Sequence, residues 1–180
     1  MRRPVTRHKL FLAASALVVT LTGCSSPASR EGMIPPDLGI GTHFPHSLGI
    51  QTGGGASTGA MDTSNISDED LKAAIEEAVI QNKLFKSIVQ GKGGDYELSV
   101  RLTTLSKPIL GGTISVEMEM AWSLTKAADR SVVMRKSVKS SASKTMGDAF
   151  AFVTRLRLAV EAATRDNIGQ GLKAIAELKL

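Results

Sequence analysis

The chain of 180 residues has one cysteine, Cys24. A lone thiol excludes an intramolecular disulfide, so the fold rests on its apolar core. Membrane-spanning runs are also missing. A crossing helix needs about 20 mainly apolar residues, whereas the run from Leu10 to Leu21 is soon followed by Ser25, Ser26 and Pro27. The three histidines, His8, His43 and His46, all lie near the start, and no acidic residue precedes Cys24. The net charge of +5 therefore draws four units from Arg2, Arg3, Arg7 and Lys9, and the chain from Cys24 onward carries 5 − 4, or +1. That balance removes the argument for nucleic acid, which calls for a basic domain with clustered Lys and Arg.

What is present begins with a cationic start, an apolar run and small residues before Cys24, the three parts of an export signal. Leu21-Thr22-Gly23-Cys24 resembles the lipobox of bacterial lipoproteins. The resemblance implies that Leu21, Thr22 and Gly23 are read by the processing machinery and that residues 1–23 are removed. It also implies that Cys24 receives a diacylglycerol and often a third acyl chain. Two or three chains anchor stably where one does not. Ser25, in place of Asp, resembles an outer-membrane address.

Residues 24–37 then read as the lipidated cysteine and a flexible tether, because Ser25, Ser26, Pro27, Ser29, Pro35 and Pro36 interrupt regular hydrogen bonding. Residues 38–180 read as a single periplasmic domain of a size that buries its own core.

In the glycine-rich stretch from Leu38 to Ala60, Phe44, Leu48 and Ile50 suggest a short edge strand. Gly55-Ala56-Ser57-Thr58-Gly59 fits the G-x-S-x-G nucleophile pattern. That pattern requires a strand-turn-helix elbow and a later histidine; every histidine precedes Ser57, and no apolar strand is evident before it. A surface loop is the expectation. His43 and His46 lack cysteine or acidic partners at ligand spacing, so no metal site is expected, and no other pattern calls for a cofactor.

Ser67 followed by Asp68, Glu69 and Asp70 supplies an N-cap and a first turn that complements the helix dipole. Leu71, Ala74, Ile75, Ala78 and Val79 continue at helical spacing to about Asn82. Leu84 to Val89 fall partly out of phase and are expected to run extended toward Gly91-Lys92-Gly93-Gly94. Strict alternation follows, from Tyr96 through Thr103 and again from Ile114 through Leu124. With a third strand from Val132 to about Ser140, it predicts an antiparallel meander with one dry face against helices.

Glu117 and Glu119 share one face of that meander. Their strand neighbours are serines and an alanine, so a solvated face is expected in preference to an acid/base pair. Arg135, Lys136, Lys139 and Lys144 form a basic edge. It suits an anionic ligand, although edge lysines also block aggregation. Met118, Met120 and Trp122 are assigned to the core by their alternation.

A closing helix is expected from near Gly147-Asp148. Ala149, Val153, Leu156, Val160, Ala163, Asn167, Gly171, Ile175 and Leu178 lie on its apolar stripe, and Arg155, Arg157, Glu161, Arg165 and Asp166 lie largely off it. Gly169 and Gly171 are expected to bend or fray the helix, and a surplus apolar strip is left for a partner.

Ser64-Asn65-Ile66-Ser67-Asp68-Glu69-Asp70-Leu71, the Asp95-Tyr96-x-Leu98 entry and the run Gly147-Asp148-Ala149-Phe150-Ala151-Phe152-Val153-Thr154-Arg155 resemble a family of uncharacterised bacterial outer-membrane lipoproteins. In element order the chain is similar to YajG-type and, more loosely, LptE-like lipoproteins. The resemblance implies an α+β two-layer sandwich: a mainly antiparallel sheet of about four strands covered by two helices, in the order β-α-β-β-β-α. It carries over no catalytic residue. The reading is a lipid-anchored, non-enzymatic adaptor or assembly accessory with an envelope protein partner. The alternatives are a carrier holding a lipid or glycan between sheet and helices and, behind it, a cell-wall hydrolase, which would need clustered reactive groups.

Overall fold

A computed structural model describes residues 26–59, 65–91 and 93–180. It contains the helices α1 (Arg30–Met33), α2 (Asp68–Gln81) and α3 (Phe152–Ala176), and the strands β1 (Phe44–Gly53), β2 (Phe85–Val89), β3 (Tyr96–Ser106), β4 (Ile114–Lys126) and β5 (Val132–Lys144). The architecture is α+β with the helices on one face of the sheet.

The sheet has five strands in the order β2-β1-β3-β4-β5, not about four. The meander β3-β4-β5 is antiparallel as its alternation predicts, but β1 runs parallel to both β2 and β3. It is therefore an inner strand, not the expected edge. Its first half pairs with β2 and its second half with β3. The short connection from β2 to β3 crosses β1 at Gly49. A β-carbon on Gly94 would lie 2.7 Å from the Gly49 nitrogen, so only glycine permits the crossing.

Helix α2 forms where its cap residues place it. Ser67 Oγ accepts from the Asp70 amide, and Leu71, Ala74, Ile75, Ala78 and Val79 face the sheet. Asn82 closes the helix, its Nδ2 donating to the Ala78 carbonyl. On the sheet's dry face Leu98, Val100, Met120, Trp122 and Leu124 are wholly buried and meet Leu156, Val160, Ala163, Leu172 and Ile175 of α3. These side chains occupy the layer where the carrier reading puts a ligand. Burying each large apolar side chain contributes about 1.5–3 kcal/mol.

Segment 24–37 is not a tether throughout. Ala28 and Met33 are buried, and α1 packs against both α2 and α3. Ser29 Oγ caps α1 by accepting from the Gly32 amide, and Ser29 donates from both its backbone N and its Oγ to Glu161 Oε1 at 2.9 Å. The domain therefore begins about ten residues before Leu38. The prolines do interrupt regular structure here, but the few apolar side chains between them seat in the core.

Candidate functional site

Cys24 and its preceding Leu21, Thr22 and Gly23 lie outside the described residues. The structure does show where the chain emerging from them enters the domain. The Ala28 amide donates to the Asn65 carbonyl at 3.0 Å, and Lys107 Nζ donates to Asn65 Oδ1 at 2.6 Å. Entry is thus beside the loop that joins β3 to β4.

The basic edge is an edge, since β5 is an outer strand, but its four cations do not form one patch. Lys136 and Lys144 pair with Trp122 and Ile114 and share their side of the sheet; Arg135 and Lys139 pair with Ser123 and Glu119 on the open face. Lys144 bonds Asp148 at 3.1 Å, and Lys139 stands 3.9 Å from Glu119 Oε2. Alternation along a strand separates these charges, and two of them already have acidic neighbours.

Glu117 and Glu119 share the open face. Glu117 is exposed, and Glu119 accepts from Ser137 Oγ and faces Lys139. They border a groove of about 600 Å³ whose lining includes Thr104, Ser106, Lys139, Ser141, Asp166 and Gln170. Its hydroxyls, carboxylates and single ammonium suit hydrogen bonding to a polar molecule. Its lining includes no histidine or cysteine to act as a nucleophile or base near neutrality.

Ser57 is exposed in a loop held to the start of α2. The Gly55 amide donates to Asp68 Oδ1, and Asn65 Nδ2 donates to the Ser57 carbonyl. Contrary to expectation a strand does lead toward it, since β1 ends at Gly53. Helix α2 begins only at Asp68, however, so no strand-turn-helix elbow forms. His43 Nδ1 lies 2.7 Å from the Lys83 carbonyl, and the His46 ring packs against Tyr96. Among the described residues no three His, Cys, Asp or Glu side chains gather closely enough to hold a metal ion.

The helix α3 departs from its expected one-sided stripe. Arg155 and Glu161, expected off the stripe, are 4% and 3% exposed, whereas Val153, expected on it, is 47% exposed. Glu161 receives Ser29 and Arg157. Arg155 donates to the carbonyls of Ala149 and Phe150 in the β5–α3 loop and, at 3.3 Å, to Gly111 in the β3–β4 loop. Its guanidinium thereby ties the two loops together at one end of the molecule.

Those loops carry Ile109, Leu110, Met146 and Phe150, all largely exposed. The β5–α3 loop is itself ordered: Asp148 accepts from the Thr145 amide and hydroxyl and from Lys144. The Thr145 backbone hydrogen bond, then Lys144 and the Thr145 hydroxyl, hold its carboxyl down at about 2. Sequence reasoning missed this surface. Part of the signal was there, since Ile109-Leu110 sits inside a Pro/Gly turn; Phe150 was hidden because the helix expected from near Gly147-Asp148 begins only at Phe152.

No family model matches the chain, and no curated protein matches it. Solved structures do. A Xanthomonas campestris protein of the DUF330 family superposes with a TM-score of 0.58 at 12% identity, covering 79% of this chain and 91% of that one. A hypothetical protein from Chlamydia trachomatis gives 0.55 at 4% identity, covering 73% and 96%. The PelC dodecamer protein from Paraburkholderia phytofirmans gives 0.50 at 9% identity, covering 81% and 95%. At these identities the likeness shows a shared fold. The domain is of that α+β class, with the N-terminal segment, α2 and α3 layered on a five-stranded mixed sheet.

Proposed function

We propose that the chain is an outer-membrane lipoprotein, acylated at Cys24, whose periplasmic domain serves as a non-enzymatic adaptor or assembly accessory, the role its YajG-like and LptE-like element order suggests. The observation that carries this reading is the leader ending in Leu21-Thr22-Gly23-Cys24, only four residues before Ala28 seats in the domain. A basic start, an apolar run of export length and a single cysteine at the processing point agree with one another. Among the described residues no helix is long and apolar enough to cross a membrane. The non-enzymatic role is favoured by the scatter of reactive groups: Ser57, His43, His46 and the Glu117/Glu119 pair each stand in separate surroundings.

The test is membrane fractionation of cells making the full chain or its Cys24→Ser variant, combined with in-cell crosslinking. The wild-type chain is expected in the outer-membrane fraction with a reproducible crosslinked protein, and the variant is expected to lose both. Equal fractionation of the two proteins would refute the anchor, and a catalytic turnover abolished by a single substitution would refute the adaptor role. Exposed Gln51 and Ser99 are suitable crosslinking sites.

A further inference from the structure

Ile109 and Leu110 in the β3–β4 loop are 85% and 84% exposed, and Phe150 and Met146 in the β5–α3 loop are 89% and 61% exposed. Soluble surfaces scatter single apolar residues, but a gathered set marks a contact surface. These are gathered: Arg155 bonds the carbonyls of Phe150 and Gly111, so both loops are held at one end of the domain.

The entry point of the chain is at that same end. Lys107, two residues before Ile109, bonds Asn65, and the Asn65 carbonyl receives the Ala28 amide. Cys24 precedes Ala28 by four residues, and four residues reach at most about 14 Å when fully extended. Acyl chains on Cys24 would therefore hold this end, not the opposite one, at the lipid surface. The opposite end carries the β4–β5 turn around Ala128, about 40 Å away along β4 at the rise of a strand.

From this placement we infer that the two loops form a membrane-docking tip: Ile109, Leu110, Met146 and Phe150 enter the interfacial region of the leaflet that holds the Cys24 acyl chains. The inference rests on the anchor proposed above. It makes the loops a second attachment that fixes the orientation of the domain. Anchor and tip act together, in the way that stable attachment takes two membrane-binding signals. The polar open face of the sheet is then held at the side, accessible to the periplasm.

The test uses the full-length acylated protein, purified from membranes and reconstituted in vesicles of phosphatidylethanolamine and phosphatidylglycerol carrying doxyl-labelled acyl chains. One variant, Leu110→Cys, and a control, Ala128→Cys, are labelled with a fluorophore, and intact mass reads acylation of Cys24 on the same samples. Both positions lie in exposed loops, so the fold is retained. The expected result is lipid quenching several-fold stronger at 110 than at 128. Acylated protein with equal quenching at the two positions would overturn the tip and leave the anchor standing. Shielding at 110 from aqueous iodide without lipid quenching would assign the loops to a protein contact and overturn it as well. Absence of acylation would overturn the anchor and the tip together.

Discussion

The indole of Trp122 fills the space that a side chain on Gly171 would need: a β-carbon there would lie 2.5 Å from Cε2 and Cζ2 of the ring. The glycine is in α3 for close approach to β4, and the helix continues unbroken past it to Ala176. Gly169 is different, since its β-carbon would meet the end of the Leu38 side chain at 3.3 Å and Pro35 Cβ at an ordinary 4.0 Å.

These two glycines should answer the same substitution differently. Alanine gains about 1 kcal/mol over glycine inside a helix, whereas overpacking a filled core costs about 1–3 kcal/mol. Gly171→Ala is expected to lower the urea midpoint, and Gly169→Ala to leave it unchanged or raise it. Equal shifts for both variants would contradict the packing described.

Asn167 binds the same indole from the side. Its Oδ1 accepts from Trp122 Nε1 at 3.0 Å, and its Nδ2 donates to the Val138 carbonyl and Ser140 Oγ. Asn167→Ala leaves a buried donor and a buried carbonyl unpaired, a loss of about 2–6 kcal/mol at about 1–3 per group. In the Trp122→Phe background the donor is already gone, so Asn167→Ala should cost less there, and chemical denaturation of the four proteins measures that non-additivity.

Glu161 holds the N-terminal segment to the domain through Ser29 and is itself braced by Arg157. Glu161→Ala removes the acceptor, at a cost of about 1.5–3 kcal/mol for hydrogen bonds to a charged group. Hydrogen exchange at Ser29 and Gly32 should quicken about tenfold or more, at about 1.4 kcal/mol per tenfold. Exchange in β4 should change far less, because the segment opens locally.

Asp148 gives the loop before α3 a dependence on acid. Its folded value is about 2, below the ordinary aspartate value of 3.8, so the unfolded chain binds the proton more readily. Its contribution is complete above the unfolded value and is lost as pH falls toward about 2. Asp148→Asn should therefore be less stable than the wild type at neutral pH, with the difference shrinking below pH 4. Carboxyl NMR titration should place the Asp148 midpoint well below the ordinary aspartate value of 3.8.

The parts of the fold legible in the sequence are those where one physical period dominates. Ser67 with Asp68, Glu69 and Asp70 marks the start of α2, and the strict alternation of Ile114 to Leu124 marks a strand wet on one face. β2 was legible only as an extended stretch, because Phe85 alone is fully buried and its parallel pairing with β1 leaves no alternation to read. The position of β1 was hidden for a similar reason: Gly49 and Gly53 interrupt its pattern, and the crossing at Gly49 is a tertiary fact. On α3 the charged Arg155 and Glu161 read as solvent-facing, yet loop carbonyls enclose one and Ser29 encloses the other. Buried polar groups are held by partners distant in sequence, such as Ser29, 132 positions from Glu161. The small residues on that flank, Ala159, Ala163 and Gly169, were the available sign of a helix covered on more than one side.

Attachment at Cys24 is tested by mass spectrometry of the N-terminal peptide of the protein isolated from the cell envelope. The expected chain begins at Cys24 and carries the added mass of two or three acyl groups. A chain that still begins at Met1, or one that begins at Cys24 with an unmodified sulfur, would contradict it.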